Sequence, residues 1–238
     1  EIKTSWDPED INFDIIKEEK EYLIVNKPSN LIMHPGAGSH KGTLANGLLF
    51  RYPELKNIPR AGIVHRLDKD TSGIILVAKT EKFRNYFVQL LQERRVEKNY
   101  KAIVVGKIIG SFEINEPIGR DANNRTKMSV RSDGKEAYSF VRLEESYQNY
   151  SLLDISIKTG RTHQIRVHLS SKKLPIIGDK TYNASKHIAK DTPSVLVDVI
   201  RNFPRQALHS SQLSFEDPNT NEMLSFNATM HEDMKNLI

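Results

Sequence analysis

The residues best able to do chemistry in this chain lie together, in the stretch His65-Arg-Leu-Asp-Lys-Asp-Thr-Ser-Gly73. Asp68 sits among cations, and a neighbouring positive charge favours an ionised carboxylate. An ionised carboxylate can attack as a nucleophile or accept a proton. Asp70 lies two positions on: in an extended segment the two side chains share a face, and in a helical turn they diverge. A two-carboxylate glycosidase needs one of its carboxyls protonated near neutral pH. Arg66, two residues from Asp68, works against that. On residue types alone two readings stand. Asp68 is a nucleophile or base, or Asp68 and Arg66 form an ion pair that only holds a turn.

Other chemistries fail on spacing. The histidines at 34, 40, 65, 163, 168, 187, 209 and 231 form no His-x-x-x-His pair, and cysteine is absent, so thiolate metal sites and disulfides are excluded. The chain lacks the Gly-x-Ser-x-Gly of a nucleophile elbow and a Gly-x-Gly-x-x-Gly after a strand. The glycine-rich loop His34-Pro-Gly-Ala-Gly-Ser-His40 has no Lys-Ser/Thr ending, so it is not a P-loop.

The elements that must hold these residues follow from pattern. Ile74 to Ala78 is unbroken apolar sequence, as in a strand buried on both faces. A loop carrying Asp68 is thereby fixed to a rigid element. Further strands are predicted at Ile11–Ile15, Tyr22–Val25, Leu31–His34, Tyr100–Val105, 111–118, Tyr138–Leu143, Leu152–Ile157, Leu208–Phe215 and Met223–Thr229. Thr43 and Thr80 are placed to cap helices ending near Tyr52 and Arg94. A short helix is expected within 159–168 with Thr162 as its cap, an amphipathic helix after the polar insertion that begins at 183, and a terminal helix over Glu232–Ile238. Residues 120–135 are polar and basic, a loop or hairpin that either contacts RNA or is simply solvated. No linker or repeat divides the chain, so one α+β domain with antiparallel pairs prominent is expected over 1–238.

The chain has 238 residues and a formal net charge of +5. That balance suits a polyanionic partner and equally a basic surface kept for solubility. No apolar run approaches the roughly 18 residues of a membrane span. A reducing compartment is expected from the absence of cysteine. Glu1 is preceded by no methionine and no basic-then-apolar leader, so no signal peptide is expected and loss of a preceding segment is.

Four stretches, in order, resemble the RluA family of RNA pseudouridine synthases, nearest the RluD branch that acts on large-subunit ribosomal RNA. They are Tyr22-Leu-Ile-Val-Asn-Lys-Pro28, the His65–Gly73 stretch, Lys98-Asn-Tyr100 with its apolar strand and Gly106, and Thr159-Gly-Arg-Thr-His-Gln-Ile-Arg-Val-His168 with Gly178-Asp179 beyond. His34-Pro-Gly-Ala-Gly38, Pro59-Arg-Ala-Gly62 and Arg205-Gln-Ala-Leu-His209 point to the branch. The resemblance implies a long, bent, mostly antiparallel mixed sheet flanked by helices, and an S4-type RNA-binding domain that is absent from this chain. It implies isomerisation of uridine in RNA without a cofactor or metal, most closely in 23S ribosomal RNA; nothing in the sequence demands more than a monomer, and a cytoplasmic protein without membrane attachment is expected.

It also implies roles. Asp68 is the essential carboxylate, attacking C1′ or removing the 2′ proton. Tyr100 stacks on the base, Arg166 is the charge partner of Asp68, and Arg66 fills the stack vacated by the extruded uridine. His65, Arg161, His163 and Gln164 are phosphate or base contacts, and Ile165 an apolar wall. For His163 and His168 a structural role on a short helix is the alternative. A transfer-RNA target, a non-catalytic RNA-binding module and an Asp68/Asp70 glycosidase are the competing readings. The module reading predicts loss of the aspartate, tyrosine or second arginine, and Asp68, Tyr100 and Arg166 are all present.

Overall fold

A computed structural model of the chain describes residues 6–36 and 39–238. Ala37 and Gly38 of the glycine-rich loop, and the first five residues, lie outside them. The described chain forms two compact units. One holds the residues up to Val96 together with Gln212–Thr229; the other holds Glu97–Ser211 with Met230–Ile238.

In the first unit β1 (Asp14–Glu18) and β2 (Tyr22–Lys27) pair antiparallel, with a bulge between Ile15 and Lys17. Helix α1 (Leu44–Arg51) begins at Thr43, whose hydroxyl accepts the amide of Asn46 in a capping box. The residues before it correct an expectation. Leu31–His34 makes only one bridge, Ile32 to Thr43, and is not a strand. Its carbonyls are used otherwise: Ile32 and Met33 accept the Leu44 and Ala45 amides at 2.8 and 3.0 Å. These are two of the orphan donors that any helix start leaves.

Strand β3 (Ser72–Ala78) is buried along its whole length, as its composition predicts. It pairs antiparallel with β2, and Lys27 faces Gly73 at the end where the Asp68 loop enters. Helix α2 (Glu81–Gln92), capped by the Thr80 hydroxyl, lays Phe83, Phe87 and Leu90 onto Tyr22, Ile24, Ile74 and Leu76. Each buried aromatic or aliphatic side chain of this kind is worth about 1.5–3 kcal/mol. The approach to β3 is tight. Gly62 has φ +77° and passes so close to the carbonyl of Ala78 that a Cβ there would overlap it at 2.1 Å.

In the second unit β4 (Glu97–Val105), β5 (Ser111–Asn115), β6 (Ile118–Arg120), β7 (Met128–Val130), β8 (Tyr138–Tyr147) and β9 (Tyr150–Ile157) follow in order. β9 pairs antiparallel with both β4 and β8, and β8 with β5. The strand expected over 111–118 breaks at Glu116-Pro117, since proline offers no amide to a ladder. The basic segment 120–135 is a hairpin, with β6 paired to β7. The strands expected over Tyr138–Leu143 and Leu152–Ile157 are longer than their patterns, because β8 runs on to Tyr147 and β9 starts at Tyr150.

Helix α3 (Gln164–Ser171) starts later than expected. Thr162 does not cap it; His163 stands at its start in the left-handed region, φ 57°, with no side-chain cap bond. Helix α4 (Ser194–Arg201) follows, and β10 (Leu208–Glu216) lies beside β4. From Gln212 onward β10 counts with the first unit, where it pairs antiparallel with β11 (Met223–Asn227). The terminal helix α5 is only Glu232–Lys235. The fold is α+β: strands in antiparallel pairs wherever a register is described, with short helices against them.

Candidate active site

The loop before β3 is built by a buried lysine. Lys27 is fully buried, and its ammonium donates to the carbonyls of Pro28, Leu31 and Lys69 at 2.8, 2.9 and 2.9 Å. A buried ammonium costs several kcal/mol unless its N–H groups find acceptors, and these three carbonyls supply them. The Lys69 carbonyl also accepts the Leu31 amide at 3.2 Å. The Asp68 carbonyl accepts the Thr71 amide at 3.1 Å, closing a turn over Lys69 and Asp70. Leu67 is buried just ahead of Asp68, itself half-buried. Asp68 is thus held by backbone bonds on its C-terminal side and by a buried leucine on the other.

His65 has a structural task within this loop. Its Nε2 accepts the Leu76 amide at 2.9 Å, so the proton of the neutral ring resides on Nδ1. The ring straps the loop to the middle of β3.

Arg66 is exposed and makes no hydrogen bond or ion pair with the described residues. The reading in which Arg66 and Asp68 form a turn-holding ion pair is thereby set aside. His34 lies near it: burial, then the charges of Arg66 and Arg60, hold its pKa below the usual value. The Trp6 ring stacks on His34 with centroids 5.9 Å apart. Arg66 and Arg60 thus both lie within electrostatic reach of His34 and the tryptophan stacked on it.

In the second unit the start of α3 gathers most of the remaining candidates. Gln164 is buried and saturated. Its Oε1 accepts the Thr159 hydroxyl and the Arg161 amide at 2.8 and 3.0 Å, and its Nε2 donates to the Tyr138 carbonyl and Ser139 Oγ. The side chain therefore holds the 159–164 loop together. His163 Nδ1 meets the Tyr182 hydroxyl at 2.8 Å. Arg161 is half-buried and donates Nε–H to the Glu136 carbonyl at 2.8 Å.

His168 is fully buried between Ser139 Oγ and the Glu116 carbonyl, each 2.9 Å away. Burial lowers its pKa, so the ring is neutral: Nε2–H donates to the carbonyl and Nδ1 accepts from the hydroxyl. His168 is structural, as one of the two readings had it.

Arg166 is buried and forms a two-pronged ion pair with Asp179, Nε to Oδ2 at 2.7 Å and Nη2 to Oδ1 at 3.0 Å. Its guanidinium carbon lies 5.0 Å from the centre of the Tyr182 ring. Burial alone would raise the pKa of Asp179. The bonds and charge of Arg166, with the Thr181 and Tyr182 amides, outweigh it and hold the carboxyl below its ordinary value. Such a fork fixes the plane of a guanidinium as well as its charge. Ile165 is buried next to it, and Tyr100 is buried on β4 opposite Ile155.

Sequence reasoning assigned no role to Lys27, Asp179 or Tyr182. The signal for Lys27 was present: one lysine closing the apolar strand Tyr22–Val25, ahead of a proline. Asp179 is marked only as part of the Gly178-Asp179 pair that follows the fourth stretch, and Tyr182 carries no mark, since the partners of both lie at or near α3.

With this geometry in place, comparison with known proteins is decisive. A family model described as RNA pseudouridylate synthase matches residues 21–171. The chain belongs to that family. It is 42% identical over 98% of its length to ribosomal large subunit pseudouridine synthase D of Vibrio parahaemolyticus, covering 72% of that protein. It is also 42% identical over 100% of its length to the protein of that name from Xanthomonas campestris, again covering 72%. Among solved structures, human RNA pseudouridylate synthase domain containing 1 superposes with TM-score 0.69 at 26% identity, over 93% of this chain and 84% of that one. The human domain-containing 4 protein gives TM-score 0.72 at 22% identity, which speaks to the fold. The α+β fold and the RNA pseudouridine synthase activity expected from the motifs are those of this family. A pseudouridine synthase acts on RNA, so RNA is its partner. Among the described residues no helix is long and apolar enough to cross a membrane.

Proposed function

We propose that this synthase converts specific uridines of large-subunit ribosomal RNA to pseudouridine, using Asp68 as its essential carboxylate. The relatives named for that ribosomal subunit support the choice of RNA. The observation that carries the role of Asp68 is its anchorage: the carbonyl of the next residue is tied to a fully buried ammonium. Geometry held this rigidly is what positioning of a reacting group requires.

The reaction conserves every atom. The N1–C1′ bond of uridine breaks, the base turns over, C5 bonds to C1′, and the C5 proton leaves to solvent while N1 gains one. Asp68 supplies the ionised carboxylate, either attacking C1′ or removing the 2′ proton. Tyr100 stacks on the base and relays the C5 proton. Arg166, whose Nε and Nη2 are bound by Asp179, is the family-matched charge partner of the Asp68 carboxylate. Ile165 provides apolar wall. Arg66 enters the stack that the extruded uridine vacates, and a planar guanidinium suits that task. Arg161 contacts the RNA directly. His65, His163 and Gln164 serve binding by shaping the loops that present these groups. The proposed catalytic residues all come from one chain, which supports a monomer, and a ribosomal RNA target supports a place in the cytoplasm.

The test is Asp68→Asn with folding verified. Tritium release from carbon-5-labelled uridine in a ribosomal RNA fragment should fall to background while RNA binding persists. Turnover by that variant at the wild-type rate defeats the assignment. Pseudouridine mapping of ribosomal and transfer RNA from cells with and without the gene decides the target.

A further inference from the structure

Among the described residues two lysines are buried, in contrasting ways. Lys27 spends its ammonium on three carbonyls. Lys98, on β4 two residues before Tyr100, is 8% exposed and has no hydrogen-bond or ion-pair partner among the described residues. The neighbouring charge it feels is another cation, Arg161, and burial followed by that repulsion lowers its pKa to about 8. Of the Arg161 guanidinium only Nε is bonded among the described residues, leaving both terminal nitrogens without a bond there. Two cations held together with no carboxylate between them are unfavourable in the free enzyme. They become favourable when an anion enters.

The way in is marked by Gly160. Its φ is not in the left-handed region, so its backbone does not require glycine. A Cβ built there would meet a single atom within 4 Å, the Lys98 ammonium at 3.6 Å. The missing side chain thus opens a window, exposed at Gly160 and floored by Nζ. We propose that Lys98 and Arg161 together hold one phosphate of the RNA strand, admitted through the gap beside Gly160. A neutral acceptor such as a base carbonyl would satisfy Lys98 but would not relieve its repulsion with Arg161, so the observations favour the phosphate. Lys98 and Tyr100, at alternate positions of one strand, share a face. The phosphate site is thereby tied to the residue proposed to stack on the base. The inference rests on the RNA-modifying reading above and adds to it a binding residue.

Lys98→Met and Gly160→Ala test it in the full chain, with a fluorescent ribosomal RNA fragment as probe. Lys98→Met removes an unpaired buried charge and should fold at least as firmly as wild type. Gly160→Ala adds a methyl at ordinary contact distance and leaves the fold unchanged. Each should weaken RNA binding about tenfold, the worth of one charge-assisted bond, with the loss in Kd and KM rather than in kcat. Lys98→Met should also reduce the slope of log Kd against log salt by about 0.7, as for one single-strand phosphate contact. Wild-type affinity and slope in Lys98→Met overturn the proposal. So does unchanged affinity with lost turnover, which would place Lys98 on the base. A wild-type enzyme that binds the fragment without releasing tritium counts against the isomerase reading alone, since the phosphate site is judged by binding.

Discussion

The ammonium of Lys27 donates to the carbonyl of Lys69 at 2.9 Å, and the residue before that carbonyl is Asp68. The bond joins the end of β2 to the turn that carries the proposed catalytic carboxylate. The same ammonium holds Pro28 and Leu31, so one cation sets the spacing of two loops.

Lys27→Met preserves volume and apolar contact but removes three hydrogen bonds, leaving the Lys69 carbonyl with the Leu31 amide alone. The expected cost is roughly 2 kcal/mol of stability, several lost bonds set against one charge no longer buried. Turnover should fall by about a hundredfold, because a misplacement of about 1 Å costs that much at a reacting centre. Denaturant titration and tritium release check the two halves. Lost stability with wild-type turnover would show that the loop holds Asp68 without this lysine.

Arg66 is exposed and makes no bond within the described residues. Arg66→Ala should therefore leave stability within about 0.5 kcal/mol of wild type. Its effect should depend on the RNA. Extruding a stacked uridine costs a few kcal/mol, and a single-stranded one costs little. On a folded ribosomal RNA fragment the turnover loss should reach about a hundredfold; on an unstructured oligonucleotide it should be much smaller. Equal losses on both substrates would remove Arg66 from base extrusion.

Some of this was legible in residue order and some was not. Ile74–Ala78 announces a strand buried on both faces because no alternation interrupts it, and Thr43 and Thr80 announce helix starts because hydroxyls are local caps. Leu31–His34 has strand composition, yet its carbonyls serve the start of α1, an assignment made by a helix a dozen residues away. Thr162 is a better cap than His163 by type, but the left-handed backbone of His163 and the bonds of Gln164 set the entry to α3. Polar residues in a motif read alike as ligands and as struts. His65 and Gln164 prove to be bonded to backbone and neighbouring hydroxyls, and only coordinates reveal which atoms they meet.

The buried ring of His168 joins Ser139 to the Glu116 carbonyl as a neutral imidazole with lowered pKa. In the unfolded chain the ring takes a proton below about pH 6.5. Its contribution is therefore full above that value and falls as pH drops, because the unfolded state binds the extra proton. His168→Gln keeps one donor and one acceptor but cannot titrate. The stability gap between wild type and His168→Gln should be widest near pH 8 and narrow by pH 5. A gap independent of pH would mean that His168 titrates equally in both states.

Asp179 holds the buried guanidinium of Arg166 by two bonds, and its folded pKa lies below the ordinary carboxylate value. The sign follows from that depression: the stabilisation is complete above the unfolded pKa near ~4 and is lost as pH falls through the lower folded value. Asp179→Asn leaves Arg166 buried against a neutral amide, which should cost about 3 kcal/mol at pH 7. The difference from wild type should shrink on the acid side, where wild-type Asp179 becomes protonated too. If the fork also orients Arg166 toward the reacting nucleotide, Asp179→Asn should lower kcat at least tenfold while RNA affinity changes by less than about twofold. Chemical denaturation at pH 7 and below pH 4, with single-turnover kinetics at saturating RNA, separates the two roles. Lost stability with unchanged kcat would confine Asp179 to the fold, and Arg166 would then need another residue to aim it.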